Sequence, residues 1–544
     1  MRVVVGEPGF IFDVIVIGSG ASGLSSAAVA AQHGLSVLVV EKGELIGGTS
    51  AVSGGMVWVP NSRQLGATEL ADSSTRAEEY VRAVARGRGN SELMQTVVEE
   101  GAVALTYFED ECGLDFAVLD DFPDYRQDLP GAAFGGRTLE PKLWDSTNLG
   151  PLVDMIRTDG RAPFTMQEYE RWGAFTQFPW DELNERAARG ITAKGLALIG
   201  GLLASCVQNG VTVALDAAAE SLAVGNTGRV TGVILTDGTS LTARHGVVIA
   251  SGGFEWDHEL TDSLLASRLH AVCSPPTNTG DGLRMAQRIG AMTRGTREAW
   301  WAPMSITGDT RDGAAIGTLL RFERQGPGSI MVNSHGQRFA NESQNYNDLA
   351  RALHSWDPAN NASLNTPAYV IVDSRYLELY GLFSHRFGEP TPDYLTEASN
   401  LRNLAIKLGM PPANLEDTVE RFNEFAIAGV DSDFSRGESA YDQYWGDHNN
   451  PWPNSSLAPL AVGPFYALPV VNGAFGTNGG IATDGHGRVK DVDGEWIEGL
   501  YALGNATQSA YASGYPGAGA TLGPIITLGY LVGKELAQEA QLSR

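Results

Sequence analysis

The stretch FDVIVIGSGASGLSSAAVAAQHGLSVLVVEKG, residues 12–43, decides how this chain folds. Its first six residues, FDVIVI, are a compact β-branched and apolar run. Gly18, Gly20 and Gly23 follow at once as GxGxxG. The alanine-rich LSSAAVAAQHG then reads as a helix, and LSVLVVEKG is a second apolar run ending in an acid. Strand, glycine turn, helix and strand make a βαβ unit. Gly18 permits the tight turn, Gly20 lets the backbone approach a pyrophosphate, and Gly23 lets the helix pack closely on the strand. The helix start turns its positive end toward phosphate. Glu41, 18 residues past Gly23, suits a carboxylate accepting from ribose hydroxyls. A GxGxxG alone could be a tight packing turn without a ligand. Here five local features agree on a dinucleotide.

The chain has 544 residues, enough for two or more domains and a sizeable core. Lys and Arg number 38 against 64 Asp and Glu, for a net charge of −26. Such a chain repels phosphate backbones and anionic lipid, so nucleic acid is not expected as a partner. Cys112, Cys206 and Cys273 lie far apart with no CxxC pair, which suggests neither a zinc site nor a disulfide framework. No metal is expected. A reduced cytoplasmic setting is the simplest reading. The start, MRVVVGEPGF, is a poor signal peptide, and no apolar run reaches the roughly 20 residues needed to span a bilayer. Peripheral membrane contact stays open.

Further along, GLALIGGLLASCVQNG reads as a helix, while VTVAL, RVTGVILT and GVVIASGG read as strands, with a hairpin at GNTGRV. Residues 350–450 are rich in Asn, Asp, Tyr and Trp and only weakly periodic. TLGPIITLGYLVGKELA, near the C-terminus, reads as a long helix. The expected fold class is α/β: a Rossmann-like FAD-binding domain with an inserted α+β substrate and catalytic domain. The boundaries fall at 1–304 and 475–544 for the FAD-binding domain and 305–474 for the insert.

FAD rather than NAD is suggested by EKGELIGGTSAVSGGMVWVP, which stays rich in Gly and Ser after Glu41 and suits a run along a large flavin. GGTSAVSGG (47–55), ASGGFE (250–255), NTGDGLRMA (278–286) and GPGSIMVNSHGQRFANES (326–343) together resemble the flavoproteins related to fumarate reductase. PDYRQDLPGAAFGGRTLEP, EAWWAPM and GYPGAGATLGP resemble, within them, the 3-ketosteroid Δ1-dehydrogenases. The resemblance implies non-covalent FAD. Its pyrophosphate would lie over Gly18, Ser19, Gly20, Ala21 and Gly23, and its ribose beside Glu41 and Lys42. Gly48, Thr49, Ser50, Ser53, Gly54 and Gly55 would border the isoalloxazine. Ala219, Ser251 and Gly252 would meet the adenosine side. Asn505 and the backbone of Ala520, Thr521 and Leu522 would cover the far end, where helix N–H groups can stabilise negative charge.

Desaturating a ketone removes a proton next to the carbonyl and a hydride from the following carbon. The carbonyl oxygen needs donors as it becomes an enolate. The resemblance assigns this to the phenol of Tyr515 and the N–H of Gly519, where glycine would admit the ketone oxygen. It assigns proton abstraction to Tyr346. An isolated phenol with pKa about 10 is a poor base, so a helper is needed, and Tyr125 is the candidate. The alternative for each tyrosine is burial with a satisfied hydroxyl.

The resulting expectation is FAD-dependent 1,2-dehydrogenation of a 3-ketosteroid, with hydride passing to flavin N5 and electrons to an external acceptor. Three other enzymes stay in view: a Δ4-(5α) dehydrogenase using Tyr511 and Ser513, a desaturase of a smaller cyclic ketone such as 4-oxocyclohexanecarboxylate, and a fumarate reductase-like enoate reductase. A non-catalytic flavin-binding protein is the fourth alternative. Arg338 is expected to be structural. His335 and His354 are expected at the surface. Trp300 and Trp301 are expected in the core or against substrate.

Overall fold

The strand Ile11–Ile17 pairs in parallel on both sides, with Val37–Val40 and with Ser240–Ile249. Its last four residues are buried, as a strand covered on both faces requires. The structure is a computed structural model and describes residues 2–6, 9–158, 160, 162–172 and 178–542. Beyond Val37–Val40 the sheet continues through parallel Thr212–Leu215 to an antiparallel edge strand, Arg2–Val5. On the other side, Ser240–Ile249 changes partner along its length. Its first half pairs antiparallel with Val230–Leu235 and its second half parallel with Trp496–Ala502. The hairpin expected at GNTGRV forms between Ala219–Val224 and Val230–Leu235.

The glycine turn leads into helix Ala21–Gln32, almost wholly buried against the sheet and two further helices, Lys194–Gln208 and Leu522–Leu542. Its alanines and serines keep it thin enough for that position. The long last helix approaches just as closely. A Cβ at Gly529 would lie 2.0 Å from Ser25 Oγ, and one at Gly533 would lie 2.5 Å from Val29 Cβ. Each glycine costs about 1 kcal/mol of helix propensity, and the backbone approach explains why it is kept.

The second sheet is built on Phe465–Thr477, a 13-residue strand. Its first half pairs antiparallel with Ala368–Asp373, which pairs in turn with Ser329–Asn333. Its second half pairs antiparallel with Ala299–Ser305. Within the weakly periodic 350–450 stretch, helices Leu401–Leu408 and Pro412–Ala428 cover one face. There Leu404, Leu415, Val419 and Phe422 pack with Ile330, Ile371 and Ala467. The strands of this sheet fall in sequence between Ser240–Ile249 and Arg488–Lys490 of the first sheet. The second layer is therefore inserted into the dinucleotide fold, and the cavity described below lies between the two. No helix among the described residues is long and apolar enough to cross a membrane.

Candidate active site

The glycine turn forms a cradle. Gly18 adopts φ +107°, and a Cβ there would strike the Ala250 carbonyl at 2.4 Å. Gly23 packs its Cα on the turn, where a Cβ would lie 2.0 Å from Gly18 O. Gly20 is different: a Cβ would meet nothing nearer than Ser50 Oγ at 3.8 Å, so its missing side chain leaves free space. The Ala21 amide donates to Ser50 Oγ at 3.2 Å, while those of Ser22 and Gly23 have no acceptor among the described residues. Glu41 Oε2 accepts from the amide and hydroxyl of Ser19, and Oε1 accepts from the Gly43 amide. Lys42 Nζ is held by Thr279 Oγ1 and Asp281 Oδ2, each at 2.6 Å. The space bounded by these residues also reaches Ala219, Gly252 and Ser251, whose Oγ is buried without a partner among the described residues.

A larger cavity of about 720 Å³ joins this one at Thr49, Ser50, Asn505 and Ile525. Ser53, Gly54 and Gly55 line its wall, as do Thr521 and Leu522. The amides of Thr521 and Leu522, at the start of the last helix, have no acceptor among the described residues. Ala520 departs from the sequence expectation: its amide donates to Gly517 O at 3.1 Å, and the residue lies against a small neighbouring cavity instead. Gly48 sits at φ +52° beside Gly20.

Three tyrosines from distant parts of the chain meet in the larger cavity. The Tyr125 hydroxyl donates to that of Tyr346 at 3.2 Å. The Tyr125 and Tyr515 rings stack at 5.4 Å, and Tyr346 meets both edge-on at 5.5 and 5.4 Å. The Tyr515 hydroxyl lies 3.2 Å from Thr521 Oγ1. Trp300 closes the group, edge-on to Tyr515 at 5.0 Å, with its Nε1 donating to Asn505 Oδ1. Burial pushes the phenols of Tyr125, Tyr346 and Tyr515 above the ordinary tyrosine value. Tyr346 opens the short helix Tyr346–Ala352, fixed by Asn345 capping the Asp348 amide at 3.0 Å.

The loop carrying Tyr515 rests on the strand Val57–Trp58. Gly519 sits at φ +87°, and a Cβ there would strike Val57 C at 2.5 Å. The glycine is therefore required by the strand behind the loop, not by room for a ketone oxygen as the sequence suggested. The turn leaves the Gly519 carbonyl accepting from the Trp58 amide at 3.0 Å, and its own amide without an acceptor among the described residues. Tyr125 is tied to the same loop: its amide and the Tyr80 hydroxyl both donate to Pro516 O. Beside it, buried Asp124 accepts from Trp58 Nε1, Arg137 and the Ala133 amide.

Other singled-out residues lie elsewhere. Tyr511 is fully buried edge-on to Trp58, its hydroxyl has no partner among the described residues, and it borders the small cavity rather than the tyrosine group. The Ser513 carbonyl accepts from Asn347 and Arg351. Arg338 is bidentate to both Glu342 and Asp431, the structural role expected. Trp301 is wholly buried. His335 is exposed, and His354 is half-buried: it packs edge-on to Trp301 at 4.6 Å and contacts Asn472. The sequence reading missed Arg321 and Glu170, which also line the large cavity. Neither sits in a motif that could have flagged it.

The FAD binding domain family matches residues 13–522. The 4-oxocyclohexanecarboxylate 2-dehydrogenase of Sinomonas cyclohexanicum is 63% identical, over 99% of this chain and 95% of its own length. The 3-oxosteroid 1-dehydrogenase of Mycolicibacterium smegmatis is 35% identical, over 98% of each chain. The crystal structure of 3-ketosteroid Δ1-dehydrogenase from Sterolibacterium denitrificans, in complex with 1,4-androstadiene-3,17-dione, matches 97% of this chain and 100% of its own. The TM-score is 0.90 at 35% identity. Fold and comparisons together define an FAD-dependent oxidoreductase acting on CH–CH bonds. The chain belongs to the flavoprotein family that includes the 3-ketosteroid Δ1-dehydrogenases.

The cradle fits FAD. The free space at Gly20, the unspent amides of Ser22 and Gly23 and the orphaned Ser251 hydroxyl are what a pyrophosphate and adenosine would fill and satisfy. Gly20→Val should therefore yield folded, flavin-free protein. Purification of that variant with one FAD per chain would overturn this placement.

Proposed function

We propose that this enzyme desaturates a small cyclic ketone bearing a carboxylate, of the 4-oxocyclohexanecarboxylate kind, at the bond next to the carbonyl. The observation that carries the chemistry is the convergence of Tyr125, Tyr346 and Tyr515 on one cavity together with the unspent Gly519 amide. The substrate class is supported by the relative at 63% identity, against 35% for the steroid enzymes. In this reading Tyr515 and the Gly519 amide hold the carbonyl oxygen as charge develops on it. Tyr346, as its tyrosinate, takes the proton from the adjacent carbon and becomes a neutral phenol, and Tyr125 stabilises that tyrosinate beforehand by donating to it. Bound FAD supplies the hydride acceptor. Thr521 and Leu522 would place main-chain N–H groups at the far edge of the flavin. Tyr511 and Ser513 stand outside the tyrosine cavity, which weakens a Δ4-(5α) reaction.

A second reading, steroid 1,2-dehydrogenation, is favoured by the close backbone match to the steroid enzyme. Anaerobic mixing of the FAD-loaded enzyme with 4-oxocyclohexanecarboxylate, 4-methylcyclohexanone and a 3-ketosteroid separates the two. The keto acid should bleach the flavin fastest. Bleaching by the steroid alone would give the second reading its place.

A further inference from the structure

Four arginines line the large cavity, and three of them are committed. Arg157 pairs with Asp312. Arg324 is buried and gives its guanidinium to the carbonyls of Leu320, Glu342 and Gln344. Arg311, on a short hairpin, is also partnered. Arg321 differs. Its side chain is half-buried, yet among the described residues its guanidinium has neither an ion pair nor a hydrogen bond. Its backbone is held firmly: the amide donates to Glu323 Oε2 at 3.0 Å, and the carbonyl accepts from the amides of Arg324 and Gln325.

The carboxyls of Glu170 and Glu323 feel the charge of Arg321, but neither bonds to its guanidinium, and a cation without a bonded partner is poorly placed in a cavity that a neutral ring system would empty of water. A ligand carboxylate would satisfy it through two parallel hydrogen bonds, which the planar guanidinium is shaped to give. The chain as a whole carries −26 and repels an anionic substrate, so capture of one needs a local cation. Glu170 stands in the same cavity wall. Tyr444 donates to one of its oxygens, and the other is buried without a partner among the described residues. Burial lifts this carboxyl to about 7, so near neutrality a large share is protonated and can donate to an anion rather than repel it.

We infer that Arg321 binds the carboxylate of the substrate and so selects keto acids over neutral ketones at the shared tyrosine site. The assignment rests on the keto-acid reading above. Tyr515 and Gly519 would hold the ketone at one end of a six-membered ring, and Arg321 the carboxylate at the other. Two anchors fix which ring C–H faces Tyr346.

The test uses FAD-loaded wild type, Arg321→Gln and Arg321→Lys. The Kd of cyclohexanecarboxylate, which has no ketone to oxidise, is read from its perturbation of the flavin spectrum. Values of kcat/KM are measured for 4-oxocyclohexanecarboxylate and for its methyl ester. Arg321→Gln should weaken both acids roughly 10- to 100-fold and cost far less with the ester. Arg321→Lys should recover part of the acid binding. An equal loss for acid and ester would mean that Arg321 acts on the tyrosines instead, and an unchanged Kd for cyclohexanecarboxylate would remove the anchor. Either result leaves the keto-acid reading standing. A wild type bleached by a steroid and not by the keto acid removes that reading and this assignment together.

Discussion

Tyr346→Phe should retain FAD and ketone affinity while the single-turnover rate of flavin reduction collapses. Tyr346 is the first residue of a short capped helix, and the Tyr125 hydroxyl lies 3.2 Å from its phenol oxygen. Phenylalanine keeps the ring contacts with Tyr125, Tyr515 and Phe475 and removes only the oxygen. Loss of a general base costs on the order of 10²–10⁴-fold. Burial holds this phenol above its ordinary value, so its basic form becomes more abundant as pH rises. The wild-type rate should therefore climb from neutral to alkaline pH, and the variant should lose that slope. A loss below about tenfold would assign proton abstraction to another group.

Tyr515→Phe should depress the rate of reduction far more than it weakens ketone binding. The phenol donates to an oxygen that gains charge only as the neighbouring proton leaves, so the hydrogen bond is stronger in the transition state than in the bound ketone. Removing one such donor costs about 10²–10³ in rate, or roughly 3–4 kcal/mol. The Gly519 amide would remain as the second donor and set the residual rate. Exchange of the proton next to the carbonyl with solvent, followed by NMR, should slow in parallel. A raised dissociation constant with an unchanged rate at saturation would reduce Tyr515 to a binding contact.

The dinucleotide layer was legible because its signals are local. An apolar run, three glycines, a small-residue helix and a terminal acid lie within residues 12–43, and each constrains the backbone within a few residues of itself. The second sheet was much less legible. Its central strand, Phe465–Thr477, is buried along most of its length and so shows no period-two alternation. Pro469 and Gly473 interrupt the pattern further. Motif resemblance singled out Tyr125, Tyr346 and Tyr515, but their meeting is a long-range event: the hydroxyls of Tyr125 and Tyr346 touch across 221 residues of chain.

By itself, then, the sequence determined the βαβ unit, the cradle for a dinucleotide and the identity of the aromatic residues offered for chemistry. Backbone periodicity and glycine placement act over short range and survive without knowledge of the rest. Only the tertiary structure decided that Gly519 is a glycine because Val57 lies behind it, and that Tyr511 stands outside the cavity its neighbour Tyr515 enters. It alone shows that Arg321 lacks the partners that occupy Arg157 and Arg324. What a charged group can do depends on which groups surround it, and in a folded chain those neighbours come from every part of the sequence.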